Sequence, residues 1–373
     1  GGAQRSWVQC FHLPLPVLGG VLFHHYLTRL GLSELEPFLI SAAAARLGAF
    51  AHPLEKNGGP LARAEYGYLL DPQSYLTQFA AAARARRVTV VQSQIAEVRT
   101  GEQGIAGIRV ADGRELVADL YVDCSGPDAL LLSRLGAGAL QGRRLGAVFS
   151  TSAAEGVGAP HRLLTGADYG WQSDTALNGA KARMTVFDPA SEAAALASHG
   201  ADPQRRADVT LGSRAEAWMG NCVGVGHSTG VLEPLSHAPL LLLQRAVERL
   251  LTLIPFSAEM SVERREFNRQ SAEEHLNAAN FHRAWFETAP LANSAYWDAA
   301  RAEPVHERLA VKLTQFEGRG ILAAYDLEPV NPEDWTILHF GMGRVPARYD
   351  RVADREPEPE LRKHIAAMAR EVG

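Results

Sequence analysis

The chain has 373 residues, more than a single small core usually organises, so one large domain or two interlocked ones are expected. Apolar residues make up 46% and charged residues 21%, an ordinary globular balance, and the net charge of −5 offers no basic face for nucleic acid. Cys10, Cys124 and Cys222 are odd in number and far apart, which speaks against a disulfide framework or a metal knuckle and fits a reducing cytoplasm. No apolar run approaches the roughly 18 residues of a membrane span.

The first residues, Gly1-Gly2, are not a native initiation, and no signal-peptide pattern follows. The apolar stretch 17–23 is short and broken by Gly19 and Gly20. Residues 29–48 read as one helix, Ala-rich over 42–45, with Gly48 near its end. Asp71-Pro72 opens a second helix: Asp71 has the N-cap side chain, and the missing N–H of Pro72 costs nothing in a first turn. Tyr75, Leu76, Phe79, Ala80 and Ala83 form its apolar stripe, and Arg84, Arg86 and Arg87 suit the negative end of the dipole.

Strands are expected at 88–91, 105–110 and 115–117, the last two joined by the hairpin turn Ala111-Asp112-Gly113, and at 120–123 before Ser125-Gly126-Pro127. Further along, 182–187 reads as a strand, 191–199 as a short helix, and 222–226 as a strand ending in glycines. A long helix then runs to about Ile254 with the stripe Leu240, Leu243, Val247, Leu250, Leu251 and Ile254, and Pro255 stops it. Residues 257–286 read as helical, 287 onward as irregular, and the end as helical again from about 358. This mixture places the chain in the α/β (α+β) class.

His24 and His25 are adjacent. On a strand they would point to opposite faces, and no Cys or carboxylate stands at a suitable spacing, so no metal site is expected. Trp171 and Trp335 read as core aromatics.

Four runs go beyond generic pattern. They are Phe23-His24-His25-Tyr26; Asp71-Pro72 with its helix, the Ala111-Asp112-Gly113-Arg114 turn and Asp119-Leu120-Tyr121-Val122-Asp123-Cys124-Ser125-Gly126; Trp218-Met219-Gly220-Asn221-Cys222-Val223 through Gly226 and Gly230-Val231-Leu232-Glu233-Pro234-Leu235; and Glu333-Asp334-Trp335 through Gly341-Met342-Gly343 to Pro346. In order and spacing, from about residue 7 to about residue 352, they resemble the flavin-dependent tryptophan halogenases. The resemblance implies the FAD-binding, glutathione-reductase-like fold of single-component (PHBH-type) flavin monooxygenases with a helical substrate-binding part. Residues 62–155 and 218–255 would belong to the FAD-binding part. Residues 1–61, 156–217 and 256–373 would form the substrate part, interleaved with it. It further implies FAD, reduced by a separate flavin reductase, an aromatic, indole-like small-molecule substrate and a halide, and it leaves room for a homodimer. By motif position Ile95, Gly126, Gly226, His227 and Leu240 would line the flavin.

The chain departs from the family pattern in four places. No G-x-G-x-x-G follows a strand, so the fold is expected to lack its first βαβ unit, the chain being cut from a longer one. The family's catalytic lysine lies before the aromatic-His run that Phe11-His12 matches, and so would precede Gly1. The family's L-E-P-L-E-S-T is here Leu232 to Ala238 with Ser236 at the second glutamate. A serine hydroxyl does not accept a proton as a carboxylate does. The next residue, His237, reads either as a cap or flank of the following helix or as a replacement base. Finally, W-x-W-x-I-P is reduced to Trp171 in the run 171–176. Halogenation by the usual Lys/Glu pair is therefore not expected. Direct oxygen insertion by a flavin monooxygenase and a non-catalytic binding homologue stand as alternatives.

Overall fold

A computed structural model describes residues 6–10, 15–52, 66–287 and 294–372. Phe11-His12 lies outside them. A short hairpin, β1 (Val17–Leu18) and β2 (Val21–Leu22), leads into α1 (Phe23–Arg29). His24 and His25 are thus on a helix rather than a strand, and their rings lie side by side with centroids 4.3 Å apart. The single helix expected over 29–48 is broken: α1 stops at Arg29, Gly31 takes a left-handed turn, Pro37 sits in a 3-10 turn, and only α2 (Ile40–Leu47) reaches the closing Gly48. A left-handed glycine and a residue without an N–H both interrupt the i→i−4 ladder.

Helix α3 (Pro72–Ala85) starts as the sequence predicts, the Asp71 carboxylate accepting from the N–H groups of Gln73 (3.3 Å) and Ser74 (3.1 Å). Its apolar stripe, however, is not covered: Leu76 and Phe79 are 62% and 59% exposed. Residues 88–91 do not form a strand, because no neighbouring strand among the described residues offers them ladder partners. Strands β3 (Ile95–Gly101), β4 (Gly104–Val110) and β5 (Glu115–Leu116) then make the antiparallel insertion that the Asp112-Gly113 turn foretells. Strand β6 (Tyr121–Asp123) follows.

The middle of the chain is more sheet-rich than the sequence suggests. Strands β7 (Arg144–Val157), β8 (Arg162–Ala167), β9 (Gly170–Phe187) and, after α4 (Glu192–His199), β10 (Arg205–Thr210) form an antiparallel sheet in the order β10-β7-β9-β8. The run 182–187 is only the end of β9. The 146↔187 register puts the Phe187 ring over Gly146, where a Cβ would come within 2.3 Å of it, so no larger residue fits there. Short strands β11 (Gly212–Ser213), β12 (Trp218–Met219), β13 (Cys222–Gly224) and β14 (Gly230–Val231) complete the β part.

Helices α5 (Ala238–Thr252) and α6 (Ser261–Ala284) come next. The leucine stripe of α5 does not face the core. Leu240, Leu243, Val247, Leu251 and Ile254 are exposed, whereas Ala246 and Arg249 are buried, Arg249 in an ion pair with Glu274 of α6. The chain after 287 is also not irregular: α7 (Ala295–Ala302), α8 (Glu307–Arg319) and α9 (Pro332–Gly341) precede α10 (Glu358–Val372). In α9 almost every residue is buried, so no amphipathic period marks it. Its start is nonetheless a capping box between Asn331 and Asp334 with Pro332 in the first turn. Trp171 and Trp335 are both core residues, each 2% exposed. The largest apolar cluster joins Phe23, Leu27 and Leu39 to Phe316, Phe340 and Ile365, tying the first helices to the last. Among the described residues no helix is long and apolar enough to cross a membrane.

Candidate functional site

Strands β6 and β13 lie next to each other and run parallel, with Tyr121 opposite Cys222, Val122 opposite Val223 and Asp123 opposite Gly224. Their glycine-bearing ends therefore open on the same side of the molecule, the arrangement in which open sheets hold ligands beyond the carboxyl ends of their strands. Asp123 organises the first end. Its carboxylate is buried and accepts from the Ser125 N–H and hydroxyl and from the N–H groups of Leu131 and Leu132, all within 2.9 Å. Burial alone would push this carboxyl up, but those four donors hold it below the ordinary range. The Asp123 backbone carbonyl joins the two ends, accepting from Val225 N–H (3.0 Å) and the Ser228 hydroxyl (2.5 Å).

The loops beyond the strands are stitched together by Arg214. Its guanidinium donates to the Pro127 carbonyl (2.6 Å) in the first loop, to the Ser228 carbonyl (2.8 Å) in the second and to the carbonyl of Gly138. Close approach demands small residues here: a Cβ on Gly224 would fall 2.6 Å from Leu132 and 2.7 Å from Thr229, and one on Gly230 would fall 2.6 Å from the His275 ring. Between the second loop and helices α5 and α6 lies a cleft open to solvent and lined in part by Gly226, His227, Gly230, Leu243 and His275. Burial lowers His227 and takes His275 down to about 4, so both imidazoles are neutral near pH 7.

After β14 the chain enters the Leu232–Ala238 run. Glu233 is 4% exposed, and both of its oxygens are engaged. Trp171 Nε1 donates to Oε1 (2.5 Å), the Tyr296 hydroxyl donates to the same oxygen, and Arg143 bonds Oε2 (2.8 Å). Burial first, and the adjacent Glu233 carboxylate second, push the Tyr296 phenol well above its ordinary value. Arg143 also pairs with Glu303, so one buried carboxylate ties β9, α7 and the chain ahead of β7 to the start of α5. Three residues on, the Ser236 Oγ lies 2.7 Å from His282 Nε2 of α6 and accepts from Ala238 N–H at 3.1 Å. Arg162 of β8 donates to the Pro234 carbonyl (2.7 Å) and to Ser173 Oγ (3.2 Å), and its guanidinium sits over the Trp171 ring.

The sequence-expected residues fall into groups. Gly126 follows β6, and Gly226 and His227 follow β13, so they share the paired strand ends; both glycines have the left-handed φ that favours glycine, +91° and +71°. Leu240 and Leu243 are on the first turns of α5; Leu243 borders the cleft, and Leu240 is 40% exposed. Ile95 begins β3 on the separate antiparallel sheet, and no hydrogen bond ties it to the glycine loops among the described residues. Ser236 and His237 stand at the start of α5, His237 as the N-cap residue with no side-chain cap bond, so helix capping there is done by Ser236. Arg214, His275, His282 and the Trp171–Glu233–Tyr296 cluster were not singled out from sequence. Their partners lie 14 to 87 positions away, and within the cluster Trp171 and the glutamate of the Leu-Glu-Pro-Leu run carried a local signal, but nothing in the sequence joined them to each other or to Tyr296. No group of three or more His, Cys, Asp or Glu side chains able to hold a metal occurs among the described residues.

The family model described as tryptophan halogenase matches residues 1–358. Tryptophan 7-halogenase KtzQ of Kutzneria sp. (strain 744) is 25% identical over 262 residues, 65% of this chain and 49% of that protein, so the chain spans about half the length of the curated relatives it matches. Among solved structures, BrvH, a flavin-dependent halogenase from Brevundimonas sp. BAL3, is 28% identical with a TM-score of 0.91, covering 99% of this chain and 79% of that one. MibH, a lanthipeptide tryptophan 5-halogenase, is 25% identical with a TM-score of 0.77, covering 99% of this chain and 76% of that one. Paired glycine-bearing strand ends, the Leu-Glu-Pro-Leu run ahead of α5 and a family match over nearly the whole length agree: the chain belongs to the tryptophan halogenase family.

Proposed function

We propose that this chain is part of a cytoplasmic, FAD-dependent oxidoreductase that modifies an aromatic, indole-like small molecule and receives reduced flavin from a separate flavin reductase. The observation that carries the reading is the convergence of the Asp123 and Gly224 strand ends, with their loops clamped by Arg214, on a cleft beside α5. These residues fit a flat ring. Gly226 and Gly230 let backbone come close, Leu243 offers an apolar wall, and neutral His227 and His275 add no charge. Bound flavin would supply the oxygen-activating chemistry of the family.

What this chain's own side chains do follows from their partners. Glu233 is committed to Arg143, Trp171 and Tyr296 and holds the start of α5 in place rather than exchanging protons with a ligand. No carboxylate occupies the next family position, where Ser236 stands. That favours a reaction in which no protein carboxylate takes a proton at this point, with direct oxygen transfer as the second reading. FAD titration of the full-length protein tests the assignment. Saturable quenching of flavin fluorescence is expected, weakened at least tenfold by Gly226→Val, and a protein that takes up no flavin overturns the proposal.

A further inference from the structure

The hydrogen-bond inventory around Ser236 decides what this residue offers to a ligand. A serine hydroxyl has one hydrogen and two acceptor directions. Ala238 N–H occupies one acceptor direction. His282 Nε2, at 2.7 Å, either receives the serine hydrogen or donates into the second direction. The other ring nitrogen decides between these: His282 Nδ1 is buried and has no hydrogen-bond partner among the described residues. If the ring proton sat on Nδ1, a buried donor would be stranded, at a cost of about 1–3 kcal/mol. A bare lone pair there is the lesser penalty, since under-satisfied buried acceptors are commoner than orphaned N–H groups. Protonation of both nitrogens is opposed by burial and by the base side chains that face the ring, His237 ahead of α5, His275 on α6 and Arg162 on β8. Among the described residues no carboxylate acts on it. The proton therefore resides on Nε2 and is donated to Ser236, whose two acceptor directions are then both filled and whose own hydrogen points elsewhere.

We propose that His282 is a positioning residue that makes Ser236 an obligate hydrogen-bond donor, so that the start of α5 binds an acceptor group of the ligand, a carboxylate or carbonyl, instead of removing a proton from it. Ser236 is half-buried beside exposed His237, so its hydroxyl is partly open to solvent. Arg162 gives the charge the same sense. It holds the Pro234 carbonyl two residues before Ser236, pairs with no carboxylate among the described residues, and is pulled down to about 10 by burial, so a nearby anion would relieve it. That the ligand carrying this acceptor is aromatic rests on the function proposed above; the donor state of Ser236 does not.

Nitrogen-15 spectra of histidine-labelled full-length protein, with His282 assigned by its loss in His282→Gln, read the tautomer directly. A neutral ring protonated on Nε2 is expected at pH 7, and a ring protonated on Nδ1 overturns the proposal. Titration with indole-3-carboxylate should shift the His282 Nε2 signal. Ser236→Ala should weaken that binding at least tenfold and Ser236→Thr, which restores the hydroxyl, should recover it; unchanged affinity in Ser236→Ala overturns the proposal. Chloride shifting the signal as strongly as acetate would overturn the carboxylate or carbonyl assignment. Acetate binding as tightly as indole-3-carboxylate would sink the aromatic reading alone and leave the donor state standing.

Discussion

At the scale of single residues, the weight falls on a few buried polar groups whose partners come from far along the chain. Glu233 is the clearest case. Removing its charge leaves buried Arg143, among the described residues, with the half-exposed Glu303 as its remaining carboxylate, and a poorly compensated buried charge is far costlier than a broken surface pair. Glu233→Gln is expected to destabilise the protein by about 3–5 kcal/mol in denaturant unfolding, whereas Arg351→Ala, which breaks an exposed pair with Asp354, should be indistinguishable from wild type within about 1 kcal/mol. Asp123 behaves similarly by another route. Asp123→Asn keeps the volume but presents N–H groups where the loop offers donors, so a loss of at least about 2 kcal/mol is expected. The serine at 236 shows how a residue is legible while its role is not. The sequence identifies it as the departure from the family run, but the direction of its hydrogen is set by His282, 46 positions away.

At the scale of elements, caps, turns and stops were legible from neighbouring residues, whereas pairings between distant segments were not. The Asp71-Pro72 start of α3, the Asp112-Gly113 hairpin and the Pro255 stop after α5 are local chemistry, and each appears where the residues place it. The strand expected at 88–91 fails because β-branched residues become a strand only when a neighbour supplies the ladder. The helices α7, α8 and α9 were missed because 287 onward mixes buried and polar residues without one clean period; in α9 nearly every side chain is buried. The same holds for the loops of the candidate site. Their glycines are visible in the sequence, but what keeps them together is Arg214, which no motif announces. Arg214→Met preserves bulk and removes the three carbonyl bonds. It should lower flavin affinity at least tenfold while the far-ultraviolet circular dichroism stays unchanged, and equal affinity would show that the loops hold themselves.

At the scale of the whole molecule, pH is the sharpest probe. Burial lowers His24 to about 4, His275 to about 4 and His282 to about 3, and drives His339 well down. In the unfolded chain these imidazoles titrate near 6.5. Between roughly pH 6.5 and 4 the unfolded state therefore binds protons that the folded state refuses, and stability falls as pH falls. Above about 6.5 the histidines no longer contribute a slope. Melting temperatures should be flat from pH 7 to 8 and drop steeply below 6.5, each unit of depression being worth about 1.4 kcal/mol at full effect; a profile flat down to pH 5 would contradict the burial of these rings. By itself the sequence determined the mixed α/β class, the family and the local starts and stops of its elements, because caps, turns and motif runs act over a few residues. Only the tertiary structure decided that β6 and β13 lie side by side, that α5 turns its leucines outward, that Glu233 is a structural hub and that His282 stands behind Ser236. Those facts depend on which distant surfaces exclude water together, and the spacing of residues along the chain does not encode that.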